Sequence, residues 1–242
     1  MRITTFAATD VGLVRGGNED SCFHGTTVVA VADGLGGHQA GEVASATALS
    51  PVAALDGRVL QTAEEARKAL VATVLEGNRA VLDKAMTDPD YWGMGTTMTA
   101  GAIAGQRWLQ LAHVGDSRAY LLRAGEGLRQ LTRDQTVVGE LVRQGRLTPE
   151  EAAQHPERSI LTRAVGLDPD LEVETPPPLE LEPGDQVLLC SDGLTDPVGD
   201  ARIAEILRAH DDGQAACQAL IDAANSAGGP DNITVVLLRA AA

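Results

Sequence analysis

Aromatic side chains are nearly missing from this chain: two Trp, two Tyr and two Phe among 242 residues. Hydrophobic residues still make up 44%, so a core is available, but Val, Leu, Ile and Ala must build it. Cysteine is as scarce. Cys22, Cys190 and Cys217 are odd in number and show no C-x-x-C spacing. That excludes a disulfide framework or thiolate metal site and makes a reducing cytoplasm the expected setting. Cations are also short, 19 Lys and Arg against 34 Asp and Glu, for a net charge of −15. A nucleic-acid partner is excluded, because phosphate backbones are bound by clustered Lys and Arg. An acidic balance alone signals little beyond solubility, although it suits a protein that collects divalent cations. The opening MRITTFAATD has no apolar stretch of signal-peptide length. No run reaches the roughly 18–20 apolar residues of a membrane span, so no membrane partner is expected.

The chain shows no internal repeat and no low-complexity linker, and it reads as one domain over residues 1–242. ITTFAAT and TVVAVAD are strand candidates. Val43, Ala44, Thr47 and Ala48 then share a helical face before Pro51, and residues 62–86 carry Leu70, Val74, Leu75, Val81, Leu82 and Ala85 at helical offsets. From Gly95 the period becomes that of strands: TTMTAGAIA, RWLQLAHVG and SRAYLLRAG read as an antiparallel meander. Residues 133–163 are polar, Arg-rich and helix-prone, with weak core periodicity, and read as a small flap. TPPPLELEPG (175–184) reads as a rigid extended connector. QVLLCSD is a buried strand, ARIAEILRAH and GQAACQALIDAANSA are helices, and NITVVLLRA is a final strand. Helix pairs beside antiparallel strands make the fold class α+β.

Four carboxylates recur at strand ends. Asp33 closes VVAVAD, Asp192 closes VLLCSD, Asp116 follows LAHVG, and Asp231 precedes NITVVLL. One such residue is ordinarily a turn or cap. Four can converge at one edge of a sheet assembly, where like charges raise one another's pKa unless a cation lies between them. Without a zinc-type Cys or His pattern, carboxylate, carbonyl and water ligands select Mg²⁺ or Mn²⁺. The glycines after Asp33 fit this reading: Gly34 frees its carbonyl to turn inward, and Gly36 and Gly37 keep side chains out of the site. Rival motifs fail. GLGGHQAGE has no GK[ST], and CSDG lacks the G-x-S-x-G elbow. His113 and Ser117 match a hydrolase triad by residue type alone. His113 reads instead as a core residue or a support for Asp116, and Thr96 and Thr97 as strand packing beneath the site.

Assembled in order, TDVGLVRGGNEDS, VADGLGGHQAGEVAS, GMGTTMT, HVGDSRAYLLR, LTRDQT, HPERSILTRAVG, DQVLLCSDGLTDPV and GGPDNITVVLL span the chain. In this set the chain resembles the protein phosphatase 2C family, the metal-dependent Ser/Thr protein phosphatases, in its compact bacterial form. The resemblance implies a four-layer α/β/β/α sandwich, two antiparallel sheets flanked by helix pairs, with a small flap subdomain. It implies two tightly bound Mn²⁺ or Mg²⁺ ions and a third, weaker one. Asp33 would bridge the two tight ions, Asp192 and Asp231 complete the first, and the Gly34 carbonyl the second. Glu19 and Asp20 would act through metal-bound waters, and Asp116 with Asp192 would hold the third. Arg15 matches the phosphate-binding arginine and His38 the candidate general acid. Arg143, Arg146 and Arg158 of the flap are candidates to meet acidic phosphopeptides. Gln135 and Ser159 depart from the His and Asn common in relatives and bear on substrate choice.

The implied reaction is hydrolysis of phosphoserine and phosphothreonine by direct attack of a metal-bridging hydroxide, in a cytoplasmic monomer that opposes a bacterial Ser/Thr kinase. Two alternatives stand beside it. One is a catalytically silent phosphoprotein-binding regulator of the same fold, whose sign would be loss of a metal aspartate; the other is a small-molecule phosphoesterase.

Overall fold

The computed structural model describes residues 1–36 and 39–242, with the backbone alone for Gln39. β1 (Arg2–Asp10), β2 (Ser21–His24) and β3 (Val28–Ala32) lead into a two-residue strand, β4 (Gly34–Leu35). Helices α1 (Gln39–Leu49), α2 (Val52–Leu55) and α3 (Ala63–Thr87) follow. Pro51 divides α1 from α2 as expected of a residue with no amide hydrogen. Thr62 caps α3 by accepting from the Glu65 amide, and Glu65 returns a bond to the Gln61 amide. The strand-rich stretch runs through β5 (Gly95–Thr96), β6 (Met98–Ala104), β7 (Trp108–Val114), β8 (Arg118–Leu122) and β9 (Leu128–Gln130). α4 (Val137–Arg143) and α5 (Pro149–Ala153) pack on each other within the flap, and a reciprocal Thr148–Glu151 capping box starts α5. β10 (Leu179–Glu180), β11 (Gln186–Cys190), α6 (Asp192–Thr195), α7 (Asp200–Ala209), α8 (Gly213–Ser226) and β12 (Ile233–Ala241) complete the chain.

Two antiparallel sheets result, in the orders β1-β12-β11-β8-β9 and β10-β7-β6-β3-β2. Inner strands such as β3 and β11 are apolar on both faces, and the two-residue period sorts each face to its own layer. Val28, Ala30 and Ala32 of β3 pack with Ala44, Ala48, Leu70 and Val74 of α1 and α3, whereas Val29 and Val31 turn toward the other sheet. In that second sheet Leu188, Val235 and Leu237 meet Ile203, Leu207, Leu220 and Ile221 of α7 and α8. Val187, Leu189, Val236 and Leu238 face Val29 and Val31 between the sheets. The fold is therefore α+β, with helices, sheet, sheet and helices in layers.

Several local expectations needed correction. β2, β9 and the β4–β5 pair carry too few residues to display alternation. The connector at 175–184 contributes β10, which pairs Leu179 and Glu180 with Leu109 and Trp108. Asp192 begins the helical turn α6 instead of ending β11; Ser191 stands at the N-cap position, with its hydroxyl engaged by Asp20 and the Thr234 amide.

Candidate metal centre

The site is built from loops that the sheets bring to one edge. Asp33 follows β3, and two threonines hold its backbone. Its N–H donates to Thr97 Oγ1 at 2.9 Å, and its carbonyl accepts from Thr96 Oγ1 at 2.7 Å and from the Thr97 amide at 2.9 Å. Thr96 and Thr97 thus do more than pack beneath the site. Gly34 is required by close approach: a Cβ there would lie 2.2 Å from the Gly41 carbonyl oxygen and 2.6 Å from that of Glu19. The Glu19 carbonyl accepts from Ser45 Oγ at 2.6 Å, which ties the loop before β2 to α1.

Asn232, a residue the sequence reading gave no role, organises the opposite wall. Its Oδ1 accepts from the Glu19 amide at 2.8 Å, and its Nδ2 donates to the Val11 and Gly17 carbonyls at 2.9 and 2.8 Å. The loop carrying Arg15, Glu19 and Asp20 is thereby fastened to the start of β12. Its only sequence signal was adjacency to Asp231. Arg15 reaches Asp231 with a 2.7 Å ion pair, both side chains remaining partly exposed.

These residues line a cavity of about 350 Å³, whose walls include Arg15, Glu19, Asp33, Asp116, Asp192 and Asp231 together with Gly34. Among the described residues, no three acidic, His or Cys side chains close on a single point; the carboxylates stand around a space. Their electrostatics are strained. Asp33 is pushed well above the usual carboxylate range, first by burial and then by the charges of Asp20 and Asp192. Asp192 is raised to about 6 by burial and by Asp196 and Asp231, partly offset by a hydrogen bond with Asp33. Asp116 rises to about 8, through burial and Asp192. Asp20 rises to about 7, chiefly through burial, although Ser191 Oγ donates to its Oδ2 at 2.7 Å. Oδ1 of Asp20 and Oδ1 of Asp192 are buried with no hydrogen-bond partner among the described residues.

A larger cleft of about 840 Å³ adjoins this cavity and shares Asp116, Arg158, Ser159, Asp192, Asp196 and Pro230 with it. Its outer wall is the flap, including Val138, Val142, Arg143 and Ala152. Arg143 and Arg158 are therefore beside the carboxylates, whereas Arg146 lines neither space. His38 lies outside the described residues. His113 is fully buried and holds the flap's root: its Nε2 donates to the Arg133 carbonyl at 2.9 Å. That carbonyl can only accept, so Nε2 carries the proton. A further cavity of about 380 Å³ between Leu161 and Glu172 contains none of the strand-end carboxylates.

The same arrangement of chain recurs in known proteins. The sequence profile of the family described as protein phosphatase 2C matches residues 17–219. The serine/threonine protein phosphatase PstP of Mycobacterium tuberculosis is 47% identical over 234 residues, 96% of this chain but 44% of that protein's length. The serine/threonine phosphatase stp of Listeria monocytogenes is 43% identical over 238 residues, covering 96% of this chain and 93% of its own. The crystal structure of the M. tuberculosis phosphatase PstP/Ppp superposes with a TM-score of 0.94 at 44% identity, covering 100% of both chains. A structure of the PstP catalytic domain in complex with two manganese ions superposes at 0.88 and 43% identity, covering 99% of each. The profile begins just after Arg15 and ends before Asp231, and the structural match extends the likeness over both. Sequence and fold agree: this chain belongs to the protein phosphatase 2C family.

Proposed function

We propose that the chain is a metal-dependent phosphoprotein phosphatase acting on phosphoserine and phosphothreonine. One observation carries the reading: among the described residues Asp20 and Asp192 each bury a carboxylate oxygen with no partner, and Asp192 does so at a cavity lined by further carboxylates. Burying unpaired charge is costly, and hard divalent cations are the partners such oxygens fit. The donor set is all oxygen, which suits Mn²⁺ or Mg²⁺. Asp33, Asp192, Asp231 and the Gly34 carbonyl would hold two ions, with Glu19 and Asp20 acting through water. Asp116 with Asp192 would hold a third, weaker one. When bound, such ions supply Lewis-acid activation of water and neutralise phosphate charge.

The protein's own groups then orient and protonate. Arg15 stands at the cavity, half-exposed and paired with Asp231, and its planar guanidinium suits bidentate capture of phosphate oxygens. His38, adjoining the glycines after Asp33, would protonate the departing Ser or Thr oxygen, since imidazole titrates near working pH. Arg143 and Arg158, with Arg146 farther out on the flap, would meet acidic phosphopeptides. The 242 residues act as one catalytic domain with the flap at 133–163, as a cytoplasmic monomer opposing a bacterial Ser/Thr kinase. The PstP catalytic domain, whose structure is a complex with two manganese ions, supports the metal assignment. Among the described residues, no helix is long and apolar enough to cross a membrane.

Turnover of a phosphothreonine peptide is expected to require added Mn²⁺ or Mg²⁺ and to vanish in excess chelator. Full turnover after verified metal removal would overturn the mechanism. Turnover of small phosphate esters only would make it a small-molecule esterase, and binding without turnover a silent regulator.

A further inference from the structure

The flap leaves the sheets and returns to them at a single crossing. Thr136 bridges Leu161, and the Val137 amide donates to the Ile160 carbonyl at 2.8 Å. At the base, the Thr162 amide and hydroxyl both donate to the Gln135 carbonyl, at 2.7 and 3.0 Å. Gln135 is only 3% exposed. Its side chain lies neither in the flap nor in the solvent but against the turn that carries Asp116. The Gln135 N–H donates to the Gly115 carbonyl at 2.8 Å, and its Oε1 accepts from the Gly115 N–H at 3.0 Å. Its Nε2 donates to Glu174 Oε2 at 3.3 Å. The amide orientation follows from its partners, because a peptide N–H can only donate and a carboxylate can only accept.

One residue therefore grips both polar groups of Gly115 while closing the flap's two ends. The turn has no slack on its other side. Gly115 has φ +102°, and a Cβ there would lie 2.6 Å from Thr97 Cγ2. Thr97 is the same residue that accepts from the Asp33 amide. Asp116 follows directly, with no intervening residue to absorb a shift.

We propose that Gln135 is a positioning residue that joins the flap root and the Asp116 turn into one cooperative unit, so that displacement of the flap displaces the Asp116 carboxylate. Groups sharing their hydrogen bonds open together. Gln135 meets this condition through three backbone segments at once: Gly115, Thr162 and Glu174. The catalytic consequence rests on the function proposed above; the mechanical coupling does not.

Two measurements test it. In the metal-free full chain, native-state amide exchange of Gln135→Leu should rise about tenfold or more at Gly115 and at Thr162 together. The Ser191 amide, bonded to Thr234 in the other sheet, should be unchanged. With metal, kcat should fall about tenfold or more, the scale of a small misplacement, while KM for a small aryl phosphate stays within about twofold. The exchange of partners Gln135→Glu with Glu174→Gln keeps an acceptor for Gly115 and restores a donor–acceptor pair with residue 174. It should recover both protection and kcat, whereas Gln135→Glu alone sets two carboxylates face to face and should not. If Gln135→Leu fails to fold, Gln135→Asn, one methylene too short to span both partners, serves in its place. Faster exchange at Gly115 without Thr162, unchanged kcat in a folded variant, or no recovery in the paired exchange would each overturn the proposal. Loss of the wild-type activity premise would appear separately, as absent turnover with the exchange pattern intact.

Discussion

Asp33 and Asp192 show how a carboxylate cluster behaves when nothing neutralises it. Asp33 is forced toward the protonated form by burial and by the charges of Asp20 and Asp192, and Asp192 is itself raised by burial and by its acidic neighbours. An amide at either position removes repulsion while leaving the shape intact. Asp33→Asn and Asp192→Asn are each expected to abolish turnover and to leave the metal-free melting temperature unchanged or raised, read by calorimetry. Retention of more than about a tenth of wild-type kcat, a loss of only ~1.4 kcal/mol, would remove the residue from the centre. Asp116 stands apart, on its glycine turn beside Asp192. Asp116→Asn is expected to keep two tightly bound metals by titration calorimetry and to lose phosphopeptide turnover by on the order of 10²-fold, the scale for a positioned acid–base element. Loss of the two tight metals would make it structural. These three aspartates were legible because each stands at the end of an apolar run. Thr97 and Asn232 were not, since their work is to hold backbone 64 and 213 positions away in sequence.

The flap was recognisable from its polar, helix-prone composition; the threonines that start its helices, Thr136 for α4 and Thr148 for α5, emerged only in the structure. Where its arginines point was not. Arg143 faces the outer cleft and also pairs with Glu140, whereas Arg158 borders both the cleft and the carboxylate cavity and lies 3.6 Å from Asp196. A graded outcome follows. Arg143→Glu should raise KM for acidic phosphopeptides and leave hydrolysis of a small aryl phosphate unaffected, because it meets only what extends beyond the cavity. Arg158→Glu should impair both substrates, and Arg146→Glu should have the smallest effect. Steady-state kinetics on the two substrates check this ordering, and equal losses on both for Arg143 would make that part of the flap structural. The short strands escaped the sequence reading for a different reason. β4 and β5 are two residues each, and Gly34–Leu35 finds its partner only because Thr96 clamps Asp33 beside it.

Across the assembled layers, the acidic ring makes the metal-free protein's stability fall with rising pH. Folded values of about 6 for Asp192, 7 for Asp20 and 8 for Asp116 exceed the unfolded carboxylate value near 4. Between those limits the folded chain binds more protons than the unfolded one, so each proton released as pH rises costs folding free energy. The metal-free melting temperature is expected to decline from pH 5 to pH 8, by roughly 2–4 °C for each kcal/mol lost. Saturating Mn²⁺ should flatten the decline, since the cation takes the protons' place and binds the folded state alone. A flat metal-free profile would show that the carboxylates do not interact as the cavity implies.

What the chain's letters determined was period and chemistry. Alternating apolar runs such as Val28–Ala32, buried on both faces, required layers above and below; hard-oxygen ligands without Cys or His required a particular class of cation. Both follow from local properties, side-chain spacing and ligand type, which are written residue by residue. Folding alone decided which distant groups meet: Ser191 with Asp20, Asn232 with Glu19, and Gln135 with Gly115. Hydrogen bonds of this kind carry no periodic signature, because a single donor and acceptor suffice at any separation. They form only after β1 to β12 have packed and brought their loops to one edge.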